Sequence, residues 1–307
     1  MTWPGGWGTP LRLSGRARDI VTPLDGGAPV VLSEATVVVG IGAEREIRSI
    51  EATPMRPGIA HLVGYRGGGN LRQALVDHVP DERRDGTPLY LLLDDVAGAT
   101  LIATFAWSRW GDEWRNDAEG RPRSRKMIGV CAGFRPGSGS LDADGNSNMA
   151  LAHNVAPVDS LVHADDPLGW HELPELPPVA MRRARRIDVT VGDVIEIDAM
   201  FRDSAGVPDG GHVAVHEYHL TATADRGTGE LLTIVAEPRV LPYRECPAAA
   251  ANVTRLVGSP LSELRSIVLE QLRTTDSCTH LNDAMRALAE VPVLADAAVR
   301  ATTERSP

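Results

Sequence analysis

Lysine is almost absent from this chain. Lys126 is the only one, and arginine carries the rest of the positive charge. That excludes Schiff-base chemistry and other lysine nucleophiles everywhere except at Lys126. Cysteine is scarce too. Cys131, Cys246 and Cys278 are an odd number at wide spacings, with no Cys-x-x-Cys pair. This argues against a disulfide framework or a zinc knuckle and for reduced thiols in a cytoplasmic protein. No uninterrupted apolar run approaches about 18 residues, so no transmembrane helix is expected. Met1 to Gly8 lacks the basic start and apolar core of a signal peptide. An excess of positive charge is also lacking. The formal net charge of −10 argues against a general nucleic-acid binder, which needs a basic face to replace counterions. The expected partner is a small-molecule substrate, with no nucleic acid and no membrane, for a monomer or homodimer.

What is present suits a folded protein. The 307 residues, 43% apolar, suffice for one large domain or two ordinary ones with a sizeable core. Alternation of apolar and polar residues predicts strands over Leu11 to Thr22, Val30 to Gly40, Glu44 to Thr53, Arg186 to Phe201, His212 to Ala224 and Glu230 to Val240. Helical spacing predicts helices over Asn70 to Val79, Asn252 to Leu272 and Leu281 to Ala298, the last interrupted near Pro292, and the very apolar Leu89 to Ala106 reads as a buried helix, with a strand as the alternative. Between Ser108 and Pro178 the pattern breaks down, with Trp107, Trp110, Trp114 and many Gly and Pro. Such a stretch reads as a crossover or lid. The basic run Met181-Arg182-Arg183-Ala184-Arg185-Arg186 leads straight into alternation and reads as the solvated start of a strand.

The two ends of the chain look alike. Arg16-Ala17-Arg18, Ile50-Glu51-Ala52-Thr53-Pro54, Leu62-Val63-Gly64, Leu71-Arg72 and Leu93-Asp94-Asp95 recur in the same order. Their counterparts are Arg183-Ala184-Arg185, Ile234-Val235-Ala236-Glu237-Pro238, Leu256-Val257-Gly258, Leu264-Arg265 and Leu281-Asn282-Asp283. The expectation is an α+β fold of two similar halves, each of antiparallel strands followed by helices, related by a pseudo-twofold axis. The first half spans residues 1–107, an irregular crossover or lid spans 108–180, and the second half spans 181–307. Asp94-Asp95 and Asn282-Asp283 would then be equivalent.

Two stretches concentrate reactive side chains. Cys278-Thr279-His280-Leu281-Asn282-Asp283 reads as a polar loop at a helix start, where free N–H groups and the helix dipole lower a thiol pKa. In Gly211-His212-Val213-Ala214-Val215-His216-Glu217-Tyr218-His219, a strand puts His212, His216 and Tyr218 on one face and Glu217 and His219 on the other. Along a strand His212 and His216 stand about 13 Å apart, too far to share one ion. Cys278 as nucleophile, His216 or His280 as base, and Glu217 or Asp283 as orienting carboxylate form a composite acid/base site. The same Cys, His and carboxylate types can also bind zinc. Tyr218, Asn282 and the pair Arg16 and Arg18, suited to a carboxylate, are the candidate substrate-binding residues. No metal ligand is assigned and no cofactor is identified. The non-catalytic reading stands beside this one: Thr279 or Asn282 caps the helix, Cys278 fills core, and His280 is a hydrogen-bonded core histidine.

Other patterns fall short. Asp94-Asp95 lacks the later acid of the magnesium motif of prenyl-transferring enzymes, since Gly98 stands there. Asp142-Ala143-Asp144-Gly145-Asn146 lacks the terminal glutamate of a calcium loop. Gly64 to Gly69 does not follow phosphate-loop spacing.

Val215-His216-Glu217-Tyr218, Leu241-Pro242-Tyr243-Arg244-Glu245-Cys246-Pro247, Leu256-Val257-Gly258 and Cys278-Thr279-His280-Leu281-Asn282-Asp283 resemble a bacterial family named only as domain of unknown function 2889 (DUF2889). The resemblance covers the last third of the chain, and its Thr-His-Leu element is the most specific part. It implies a long, actinobacterial-type member with a related first half, and a start at Trp3 to Gly8 that is truncated relative to such members. It carries no activity with it; it marks His216, Cys278 and His280 as positions to test. The functional expectation is an enzyme acting on a small, partly apolar molecule by acid/base chemistry, as a lyase, isomerase or hydrolase. A non-catalytic ligand-binding or assembly protein is the alternative.

Overall fold

A computed structural model describes residues 1–23, 27–117, 126–148 and 155–303. Helices and antiparallel sheets are both present, as the α+β expectation requires. The chain divides into two units. The first comprises Met1–Arg123, His163–Arg182 and Ala205–Gly211; the second comprises Ser124–Val162, Arg183–Ser204 and His212–Pro307. The stretch expected as a crossover or lid is thus shared out between them, and its residues 118–125 and 149–154 lie outside the described residues.

In the first unit β1 (Leu11–Val21), β2 (Val30–Ile41) and β3 (Ile47–Thr53) form an antiparallel sheet in that order. Alternation gives each strand an apolar face, and Leu11, Leu13, Val37, Val39, Ile41 and Ile47 are buried. Against that core lie α1 (Gly69–His78), the short α2 (Pro80–Arg84) and α3 (Pro88–Ile102), followed by α4 (Phe105–Trp110) and α5 (Asp112–Asn116). Thr87 caps α3 by accepting from the Tyr90 N–H. Leu89, Tyr90, Leu93 and Val96 are buried in the same core, as the buried-helix reading of Leu89 to Ala106 expects. Pro88–Trp110 is nevertheless the one helical stretch among the described residues long and apolar enough to cross a membrane, and 72% of its apolar window is buried. Trp3, Trp7, Trp107 and Trp114 form an aromatic cluster, with Trp7 packing edge-on to Trp114 at 4.5 Å.

In the second unit the sheet runs β4 (Ala156–Pro157), β7 (His212–Asp225), β6 (Val194–Gly206), β5 (Met181–Val191), and β8 (Leu231–Val240) pairs with β7. Val213 and Ala214 pair with β4, and Glu217 to Ala224 pair with β8. The helices α6 (Leu264–Gln271), α7 (Thr279–Ala287) and α8 (Val291–Thr303) follow. The single helix expected over Asn252 to Leu272 is instead three pieces: 3-10 turns over Cys246–Leu256 and Leu261–Glu263, then α6. Gly258 at φ +85 and Pro260 break it, one by a left-handed backbone and the other by its missing N–H.

The solvated reading of the basic run is also corrected. Arg183 is 5% exposed at its side chain and pairs with Asp203 and Asp283. Arg186 is similarly enclosed, against Asp188 and Asp198. Arginine can be buried this way because each guanidinium finds carboxylates for its fixed fork of donors.

Candidate functional site

Cys278 to Asp283 is not a loop. Cys278 is the N-cap of α7, in extended conformation, and the next five residues are the helix's first turns. Neither Thr279 nor Asn282 caps it, and no side-chain cap bond is present. The amide of Asn282 instead donates to the Leu272 carbonyl at 3.1 Å, which ties α7 to the end of α6. The opening residues are buried because α7 packs against α6 and β7.

That packing brings His280 from α7 onto His216 from β7. The two rings stack with centroids 3.5 Å apart and planes 14° apart. His216 is 6% and His280 8% exposed. Asp203, near the end of β6 and fully buried, completes a trio whose ligating atoms all lie within 4.8 Å of one another. His280 Nε2 stands 3.5 Å from Asp203 Oδ2. On the other side of the ring, Nδ1 lies 3.4 Å from Thr279 Oγ1 and 3.9 Å from Cys278 Sγ. Burial, followed by the Arg183 charge, lowers the His280 pKa to about 3. Burial and the facing His280 also hold His216 well below its ordinary range. Both rings are therefore neutral at physiological pH. Two buried ring nitrogens, His216 Nδ1 and His280 Nε2, have no hydrogen-bond partner.

Arg183 organises the floor of the cluster. Its Nε and Nη2 donate to the two oxygens of Asp203, each at 2.9 Å, and Nη1 donates to Asp283 Oδ2 at 2.9 Å. Arg185 Nη1 donates to the Asp283 carbonyl at 3.0 Å. Both guanidiniums lie over the Phe201 ring, at 4.8 and 5.4 Å.

The remaining expected residues separate. Glu217 is buried on the opposite face of β7 and accepts from Arg202 Nε at 2.6 Å, outside the histidine cluster. Tyr218 is fully buried beside the Cys278 thiol, and burial, followed by the charge of and hydrogen bond with that thiol, pushes its pKa well up. The thiol itself is corrected: burial raises the Cys278 pKa, and the Tyr218 hydroxyl, then the amides of Leu281 and His280 at the helix start, oppose this without prevailing. Arg16 and Arg18 belong to the first unit. Arg16 is exposed, and Arg18 donates to the carbonyls of Leu168 and Trp170. Below its ordinary range there sits His171, held down by burial and then by these two charges.

Sequence reasoning missed Asp203 and Arg183. The signal for Asp203 was a charged pair, Arg202-Asp203, directly continuing an apolar strand at Phe201.

A β-sheet half covered by helices, with a buried His-His-Asp cluster at its centre, is the class of module that the second unit represents. Residues 181–294 match the family described as protein of unknown function (DUF2889). No curated protein and no solved structure matches the chain.

Proposed function

We propose that the second unit is an enzyme module that performs acid/base chemistry on a small, partly apolar molecule at the His216–His280 pair. The observation that carries this reading is the pair of unpartnered ring nitrogens, His216 Nδ1 and His280 Nε2, buried side by side. A histidine kept for structure has its buried nitrogens hydrogen-bonded, because an orphaned buried polar atom costs about 1–3 kcal/mol. The stacked rings are neutral and able to accept a proton, with Tyr218 and Phe201 supplying apolar surroundings. Within the expected set, Asp283 acts by positioning Arg183, and Glu217 and Asn282 are committed to Arg202 and Leu272. The non-catalytic reading is favoured for those two. Cys278, protonated and buried, positions His280 and does not attack.

The test is His216→Leu, with stability measured in chelator-treated protein and turnover in the protein as purified. Replacing an orphaned imidazole by an apolar side chain of similar size should raise unfolding free energy by about 1 kcal/mol. It should also abolish turnover in a screen of small apolar acids and esters. A loss of stability of that size, together with no turnover by wild type, sinks the proposal.

We further propose that the two units descend from an internal duplication. Matching backbone links support it. The Gly64 N–H donates to the Ile47 carbonyl and the Ile47 N–H to the Tyr65 carbonyl; Gly258, Leu231 and Ser259 repeat this arrangement. Arg45 and Gly229 precede the equivalent strands at φ +64 and +71. By strand pairing β1 corresponds to β6, so the Arg16–Arg18 and Arg183–Arg185 match falls outside the repeat. Counting from the helix N-caps, Thr87 and Cys278, likewise sets Asp94 two positions out of step with Asp283.

A further inference from the structure

We propose that Asp203, His216 and His280 bind one first-row divalent cation of the zinc or iron(II) type. The inference deepens the enzyme reading above and rests on the same cluster. Three donors converge there from three different elements, β6, β7 and α7, with ligating atoms within 4.8 Å of one another. Around an ion with bonds of about 2.0–2.2 Å, ligand atoms stand roughly 3.3–4.2 Å apart. The two rings stack with planes 14° apart, so their in-plane lone pairs run nearly parallel, and binding one ion requires the rings to tilt apart.

The local chemistry asks for a cation. Thr279 Oγ1 stands beside His280 Nδ1 at 3.4 Å, the long contact open to an Nδ1–H donor. With the proton on Nδ1, the Nε2 lone pair faces the Asp203 carboxylate at 3.5 Å. In that tautomer two electron-rich atoms face each other in a buried site. A divalent ion would satisfy Nε2, the carboxylate oxygen and a ring nitrogen of His216 together. The surrounding groups fit this as well. Arg183 fixes the Asp203 carboxylate by both oxygens, as an outer-shell partner does for a metal-binding carboxylate. Two histidines and one carboxylate leave coordination positions open, which is the composition of reactive rather than purely structural centres. The three cysteines do not join this trio: Cys278 is near His280 Nδ1, on the far side of the ring.

The experiment uses the full-length protein, stripped by chelator and titrated with Zn²⁺ by calorimetry and with Co²⁺ by visible absorption. One equivalent should bind. Co²⁺ should give a ligand-field spectrum of nitrogen and oxygen donors without sulfur charge-transfer bands. His280→Gln and Asp203→Asn should each weaken binding by about a hundredfold, in line with loss of a ligand or its support. Should either variant fail to fold, the wild type still decides the matter: Zn²⁺ must raise the melting temperature progressively, with the logarithm of its concentration. No binding to wild type, binding that survives both substitutions, or a thiolate charge-transfer signature overturns the metal site. Turnover that persists in chelator would sink this inference and leave the acid/base enzyme standing. Metal binding without any turnover, and with His216→Leu destabilising, does the reverse.

Discussion

Cys131 and Cys246 lie far apart in sequence, yet both sulfurs sit around one backbone position. A Cβ on Gly133 would meet Cys246 Sγ at 2.7 Å and Cys131 Sγ at 3.8 Å, so glycine is what lets the two thiols close over the 3-10 turn at Ala132–Phe134. Burial, with a smaller push from neighbouring thiols, raises Cys131 to about 11 and Cys246 further still. In the unfolded chain both ionise near 9. Between pH 9 and 11 the unfolded state therefore holds fewer protons than the folded one, and stability falls as pH rises. Below pH 9 the two states hold the thiol protons equally and the effect vanishes. Each thiol contributes at most about 1.4 kcal/mol per pH unit. Denaturant unfolding at pH 8, 9 and 10 should show the wild type losing stability more steeply than Cys131→Ala/Cys246→Ala. Parallel curves for the two proteins would contradict the burial argument.

At the scale of elements, the turn that joins the 3-10 segment Cys246–Leu256 to the strand start at Leu231 depends on Gly258. Its φ of +85 lets its N–H reach the Leu231 carbonyl at 2.8 Å. The nearest atom to an added Cβ is Glu230 Oε1 at 3.9 Å, so the cost of a side chain there is conformational and not steric. Gly258→Ala should lose about 1–2 kcal/mol in chemical denaturation, the usual cost of a left-handed L-residue. Val257→Ala, at an exposed neighbour, should stay within about 0.5 kcal/mol. Equal effects at the two positions would show that the left-handed backbone is not what this turn needs. Gly258 also explains how far the sequence could be read. Alternation exposed most strands, including β7 and the face that carries His216, although Ala214 to Tyr218 are buried on both faces. Helical periodicity exposed α1, and continuous apolarity exposed α3, which is buried on most of its surface. The Asn252–Leu272 region carries apolar residues at helical intervals, and periodicity could not see that Gly258 and Pro260 cut it. Asp203 was illegible because β6 is buried on both faces from Ala199 to Gly206. Without alternation, Arg202-Asp203-Ser204 looks like a polar turn. Arg183 was illegible because a charge run normally faces water, and only the tertiary partners Asp203 and Asp283 bring it inside.

The family match begins at residue 181, but the second unit begins earlier. Residues 126–148 and 155–162 are tied into it by many polar links. The Ala132 N–H donates to the Ser277 carbonyl at 2.8 Å, directly before α7. Ser147 shares a hydrogen bond with Tyr243 at 2.7 Å, and the Gly139 N–H donates to Glu245. Two enclosed arginines of the sheet depend on this segment as well: Arg202 donates to the Asp159 carbonyl at 2.6 Å and Arg186 to that of Leu161 at 2.8 Å. A fragment cut at the family boundary, 181–307, keeps the histidine cluster but strips those carbonyls from charged donors. It also removes β4 from β7 and the 3-10 turn over Cys246. Each buried charged donor left without a partner costs on the order of 1–3 kcal/mol, and a domain's whole stability is only about 5–15 kcal/mol. Fragment 124–307 should therefore unfold cooperatively, whereas 181–307 should melt at a much lower temperature or aggregate. Circular dichroism melts of the two fragments, purified identically, make the comparison. If 181–307 is as stable as 124–307, residues 126–162 decorate the unit without supporting it. The helix start that presents His280 to His216 would then be held by α6 and β7 alone.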